Sequence, residues 1–137
     1  MQSFTTGAAV RAAVADPALD PQLRALLAAR ARQLEDDSEP GLDLGDLAHF
    51  HAVEPGDGPA EAAAALGFPP DANLVDGSRQ GDPDFAPSWE WIEDHGGWFE
   101  LAFVLSDDGF GHVLLVPDRP DTDPRLLVLC RDHLTPA

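Results

Sequence analysis

The chain has no lysine and no tyrosine, and it contains one cysteine and one methionine. Without lysine, all eight cations are arginines, set against 25 acidic residues for a net charge of -17. A field of that sign repels phosphate, because each phosphate contact needs a cation to replace a released counterion. Direct binding to nucleic acid is therefore not expected, and neither is attachment to an anionic membrane. The lone Cys130 excludes an intramolecular disulfide. It falls on the apolar face of a helical segment with no cation to lower its pKa, as a structural thiol does. The longest apolar stretch, residues 101–105, is far below the roughly 18 residues a membrane span needs. Met1 leads into a polar segment instead of a basic stretch and an apolar run, so no secretory leader is expected and a reducing cytoplasm is.

What is present fits one domain, since a single core serves about 100–200 residues and the chain has 137. Charge divides it unevenly: residues 1–32 sum to +2 and the remainder to -19. Residues 7–15 and 19–34 are alanine- and leucine-rich and read as helices broken at Asp16-Pro17. Asp20 before Pro21 has the chemistry of an N-cap followed by proline at the first helical position. Leu23, Leu26, Leu27, Arg30 and Leu34 then form an apolar stripe with an arginine at its edge. Residues 35–41 have the composition of an acidic linker.

Beyond the linker, residues 42–137 read as an α+β core. Residues 47–53 alternate in period two, as a strand does, and a short alanine-rich helix opens near Pro59 and stops at Gly67. Residues 69–88, rich in proline and aspartate, read as loop apart from an ordered fragment at 73–75. Residues 89–116 predict an antiparallel meander with turns at Gly96-Gly97 and at 106–109, and with Phe99, Leu101, Phe103 and Leu105 as its core face. Asp123-Pro124 starts a closing helix carrying Leu126, Leu127, Cys130 and Leu134. The expected fold is an antiparallel sheet of three to four strands packed with the N-terminal and C-terminal helices, mainly on one face.

No motif assembles a nucleophile, a base and an orienting group, so no catalytic residue is assigned and no cofactor is expected. His49 and His51, two apart on a strand, point to one face as metal ligands on sheets do, and His95 or His112 could join them only if the strands are adjacent. Trp89, Trp91 and Trp98, with Glu90 and Glu93, gather within a dozen positions and form a candidate ligand or partner surface. The turn Ser106-Asp107-Asp108-Gly109 lacks the ligand series of an EF-hand, and Gly109-Phe110-Gly111 lacks the third glycine of a phosphate loop.

The stretch Trp89-Glu90-Trp91-Ile92-Glu93-Asp94-His95-Gly96-Gly97-Trp98-Phe99-Glu100, followed by Leu105-Ser106-Asp107-Asp108-Gly109-Phe110-Gly111 and by Asp123-Pro124, resembles small acidic proteobacterial proteins of unassigned function that occur around plasmids and conjugative elements. The resemblance covers about residues 45–134, implies a bacterial cytoplasmic setting and carries over no catalytic residue. The leading expectation is a non-enzymatic interaction or regulatory module for a partner with a basic surface. The alternative is a small-molecule or metal-dependent enzyme built on His49, His51 and residues 89–100. Residues 1–34, with their alanine and leucine faces, could also pair two copies of the chain.

Overall fold

The computed structural model describes residues 1–67, 88–104 and 111–134, the side chains of 88–90 and 103–104 excepted. The elements, in order, are β1 (Gln2–Phe4), α1 (Gly7–Ala15), α2 (Pro21–Asp36), a 3-10 turn (Leu44–Asp46), β2 (Ala48–Ala52), α3 (Pro59–Ala65), β3 (Ser88–Asp94), β4 (Trp98–Val104), β5 (Gly111–Pro117) and α4 (Pro124–Asp132). No described helix is long and apolar enough to cross a membrane.

The helix starts follow from local chemistry. The Asp20 carboxylate accepts hydrogen bonds from the backbone N–H groups of Gln22 and Leu23, with Pro21 in the first turn. Asp123 does the same for Arg125 ahead of Pro124. Each such cap stabilises its helix by about 1 kcal/mol. Alpha-helical structure stops at Ala15 before Asp16-Pro17, and Gly67 takes the left-handed φ of +73° after α3. Helix α2 continues to Asp36, so the first acids of the 35–41 segment are helical and not linker.

The fold is α+β, but the sheet corrects the expectation of three to four antiparallel strands. Five strands lie in the order β1-β2-β5-β4-β3. The β3–β4–β5 meander is antiparallel as expected, whereas β2 pairs β5 in parallel, with Phe50 opposite Val113 and Ala52 opposite Leu115. Strand β1 adds antiparallel to the outside of β2, with Phe4 opposite Phe50.

The helices also cover both faces instead of mainly one. On one face α3 and α4 bury Ala62, Leu66, Leu126 and Cys130 against Phe99, Leu101, Leu114 and Val116. On the other, α1 and α2 bury Val10, Leu23 and Leu27 against Phe50, Trp98, Val113 and Leu115. Every residue of β5 is buried, as a central strand covered on both sides requires. The face of β4 opposite Phe99 and Leu101 therefore belongs to a second core, in which Trp98 is buried, and Ala102 is buried on the same face of the strand. The expected loop at 69–87, its fragment 73–75 and the turn at 106–109 lie outside the described residues.

Candidate functional site

Two polar constellations sit on the two faces of this sheet. On the α3/α4 face, the parallel β2–β5 register places His49 opposite His112 and His51 opposite Leu114. The condition for His112 to join the two strand histidines is thus met. Ser3 of β1 lies opposite His51 on the same face. Its hydroxyl is 2.8 Å from His51 Nδ1, and His51 Nε2 is 2.9 Å from His112 Nδ1. His51 and His112 are 3% and 8% exposed, while Ser3 is open to solvent. Burial, and then the neighbouring imidazoles, push His51 down to about 4. Burial, and then His49, push His112 down to about 4 as well. Both rings are therefore neutral near pH 7, the form in which imidazole offers a lone pair. The His49 ring stands edge-on, 5.5 Å from the His112 ring and 6.5 Å from the His51 ring between centroids.

On the α1/α2 face, Glu100 of β4 is 2% exposed. Arg30 reaches it from α2 with both arms of its guanidinium, Nε to Oε2 at 2.8 Å and Nη2 to Oε1 at 2.7 Å. Burial alone would raise Glu100, but this pairing and His95 hold it below the usual carboxylate range. Glu100 answers to raise Arg30. His95 Nε2 lies 3.1 Å from Glu100 Oε1 and 3.6 Å from Glu93 Oε2. Among the described residues, Glu93, His95 and Glu100 are the one set of three ligand-type side chains whose donor atoms lie within 4.8 Å of one another. They could hold a cation, although Arg30 already occupies both oxygens of Glu100 and its charge opposes a second one there. The strand histidines 49, 51 and 112 do not converge in this way, and His95 belongs to the opposite face.

The hairpin that carries His95 is held from α2. Gln22 Nε2 donates to the carbonyls of His95 and Gly96 at 2.9 and 3.3 Å. Gly97, at φ +139°, leaves room for that amide, since a Cβ there would stand 2.6 Å from Gln22 Oε1. Position 97 is therefore tied to glycine by its backbone conformation, and a Cβ there would also displace the Gln22 amide from the hairpin.

The tryptophans divide. Trp98 is 4% exposed in the α1/α2 core, and Arg119 lies over its ring at 5.2 Å. Trp91 is half-buried under Arg30, whose guanidinium carbon is 4.4 Å from the ring centre. A β-bulge between Trp89 and Trp91 breaks the period-two alternation, so that Trp89 pairs with Phe103 but Trp91 with Ala102. Glu93 is exposed, and the side chains of Trp89 and Glu90 lie outside the described residues.

The acids have their own distribution. Four arginines are matched internally, Arg30 to Glu100, Arg119 to Asp20, Arg125 to Asp123 and Arg131 to Asp118. The segment from the end of α2 to the 3-10 turn instead exposes Glu35, Asp36, Asp37, Glu39, Asp43 and Asp46 with no basic residue in the segment itself, although Arg11 of α1 lies beside Asp43. Leu42, 51% exposed, sits in its middle. Beside it, α1, α2 and Leu44 line an open pocket of about 300 Å³, with Arg11, Arg32 and Glu35 among its lining residues. In the sequence, residues 35–41 have the composition of an acidic linker, and Leu42 with Asp43 and Asp46 falls in the α+β core that follows, so the run of exposed acids extends past that boundary. No family model matches the chain, and no curated protein or solved structure does either.

Proposed function

We propose that this protein is a cytoplasmic interaction module that binds a protein partner with a basic surface, and that binding rather than catalysis is its main role. The observation that carries the reading is the exposed segment 35–46, whose six exposed acids flank the exposed Leu42 in sequence with no basic residue in the segment, Arg11 of α1 lying beside Asp43. Two of the acids, Glu35 and Asp36, end α2, and no basic residue lies in its last turn. Carboxylates there meet the negative pole of the helix dipole, an arrangement that costs stability and that a cationic partner relieves. An apolar residue within a charged rim is also how many interfaces are built, the first excluding water and the second setting partner choice.

The test is capture from the source cell with wild-type protein and with a variant carrying Glu35→Lys, Asp36→Lys, Asp37→Lys and Glu39→Lys. A basic protein should be retained by wild type, be absent from the variant, and be released at about 1 M salt, where the screening length falls to about 3 Å. Equal recovery on both baits, or recovery indifferent to salt, would overturn the reading.

A further inference from the structure

We propose that Ser3, His51 and His112 form a nucleophile, a general base and a positioning residue, and that this relay gives the protein an acyl-transfer activity toward small activated esters. It lies on the sheet face opposite α1 and α2 and is independent of the acidic segment. Three adjacent strands supply one member each: β1 the hydroxyl, β2 the base, β5 the orienting ring. Side chains fixed on paired strands keep their mutual geometry better than side chains on loops.

The two contacts, 2.8 Å and 2.9 Å, lie within the reach that a nucleophile–base pair and a base–orienter pair require. The chain of hydrogen bonds has two self-consistent proton arrangements. In the productive one the Ser3 hydroxyl donates to Nδ1 of His51, whose own proton on Nε2 is donated to Nδ1 of His112. The His112 ring then holds the base in one tautomer, the part an orienting carboxylate plays in serine hydrolases. The nucleophile is solvent-exposed while both rings are buried, so a substrate can reach the oxygen without water competing for the imidazoles.

Ser3 Oγ attacks the acyl carbon and passes its proton to His51 Nδ1. The bond to the leaving alcohol breaks, and that oxygen takes the proton from His51. Water then attacks the acyl-Ser3 ester, giving its proton to His51, which returns it to Ser3 Oγ as the carboxylic acid leaves. The ring of His51 begins and ends neutral.

The full chain is treated with a fluorophosphonate probe, and the modified residue is located by tandem mass spectrometry. Label should appear at Ser3 and vanish in Ser3→Ala. His51→Leu should slow labelling by about 100-fold, within the range that general-base catalysis supplies. His112→Asn, whose amide oxygen still accepts from His51 Nε2, should keep most of the rate that His112→Leu loses. Tryptophan emission establishes that each variant is folded, and a Ser3→Cys variant alkylated by iodoacetamide gives a second readout if a histidine variant fails to fold. Its rate should exceed that of free cysteine. The proposal fails if the probe does not select Ser3 over other serines, if His51→Leu labels like wild type, or if that cysteine reacts no faster than free cysteine. Partner capture by Ser3→Ala should be unchanged, so the failure of either proposal is separable from the other.

Discussion

Lowering the pH should loosen this fold well before its carboxylates protonate, because His51 and His112 are enclosed as neutral rings. In the unfolded chain each takes up a proton near pH 6.5, whereas in the fold each does so only near about 4. Between those values the unfolded state binds more protons, so stability is fully present above about 6.5 and drains away as pH falls toward 4. At about 1.36 kcal/mol per pH unit, the interval is worth roughly 3 kcal/mol for one fully enclosed imidazole. Relaxation of the fold around a protonated ring reduces this to roughly 1–2 kcal/mol each. The depressed carboxylates, Glu100 and Asp20 among them, act in a lower window, since their contribution is lost only as pH falls below the usual carboxylate range. Relief of the -17 charge opposes the loss, but it also develops mainly as carboxylates titrate. Urea unfolding followed by tryptophan emission should therefore lose roughly 2–4 kcal/mol between pH about 7 and about 4.5. His51→Leu should remove about half of that slope, whatever it does to stability at pH 7. A constant unfolding free energy across the window, or a full slope retained in both His51→Leu and His112→Leu, would refute the reasoning.

Arg30→Met should strand the Glu100 carboxylate in the α1/α2 core and cost about 3–5 kcal/mol, while the double variant Arg30→Met/Glu100→Leu should recover most of the loss. Chemical denaturation of the two variants side by side measures this, and equal destabilisation would mean the ion pair contributes more than its own removal penalty. Asp37→Lys, at the C-terminal end of α2, should raise stability by a few tenths of a kcal/mol at low salt while weakening partner capture, two effects of opposite sign from one substitution. Thermal unfolding at low and high salt reads the first effect and should show it fading as salt rises.

Much of this architecture was legible where the controlling chemistry is local. Asp20-Pro21 and Asp123-Pro124 announce helices because cap and first turn are adjacent in the chain, and Gly67 marks a helix end because the left-handed φ favours glycine. The β3–β4–β5 strands were legible for the same reason. Strand β1 was not, since three residues carry no period and gain their conformation only by pairing with β2. Parallel pairing of β2 with β5 leaves no trace in alternation, which is the same for either direction. Two-sided burial did leave a trace, the unbroken apolar run Val113-Leu114-Leu115-Val116, whose meaning is a covered central strand. The burial of Glu100 was not legible, because its partner Arg30 is 70 positions away. The histidine pair was legible as a shared face, but Ser3 and His112 could be attached to it only through long-range register.

The place of β5 between β2 and β4 has a bearing on how the chain comes to be folded as it is made. It is the last strand in sequence and the middle one in space. Until residues 111–117 emerge from the ribosome, β2 lacks its parallel neighbour and the α1/α2 core lacks Val113 and Leu115. Pairing strands so distant in the chain closes a long loop before any contact rewards it, which slows folding. The nascent chain therefore carries the apolar faces of α1 and α2 uncovered through most of its synthesis, and the β3–β4 hairpin is complete only shortly before β5 follows it. Its surplus of acids, by mutual repulsion between chains, keeps that unfinished species dispersed until the last strand inserts and completes the α1/α2 core, after which α4 closes the other face.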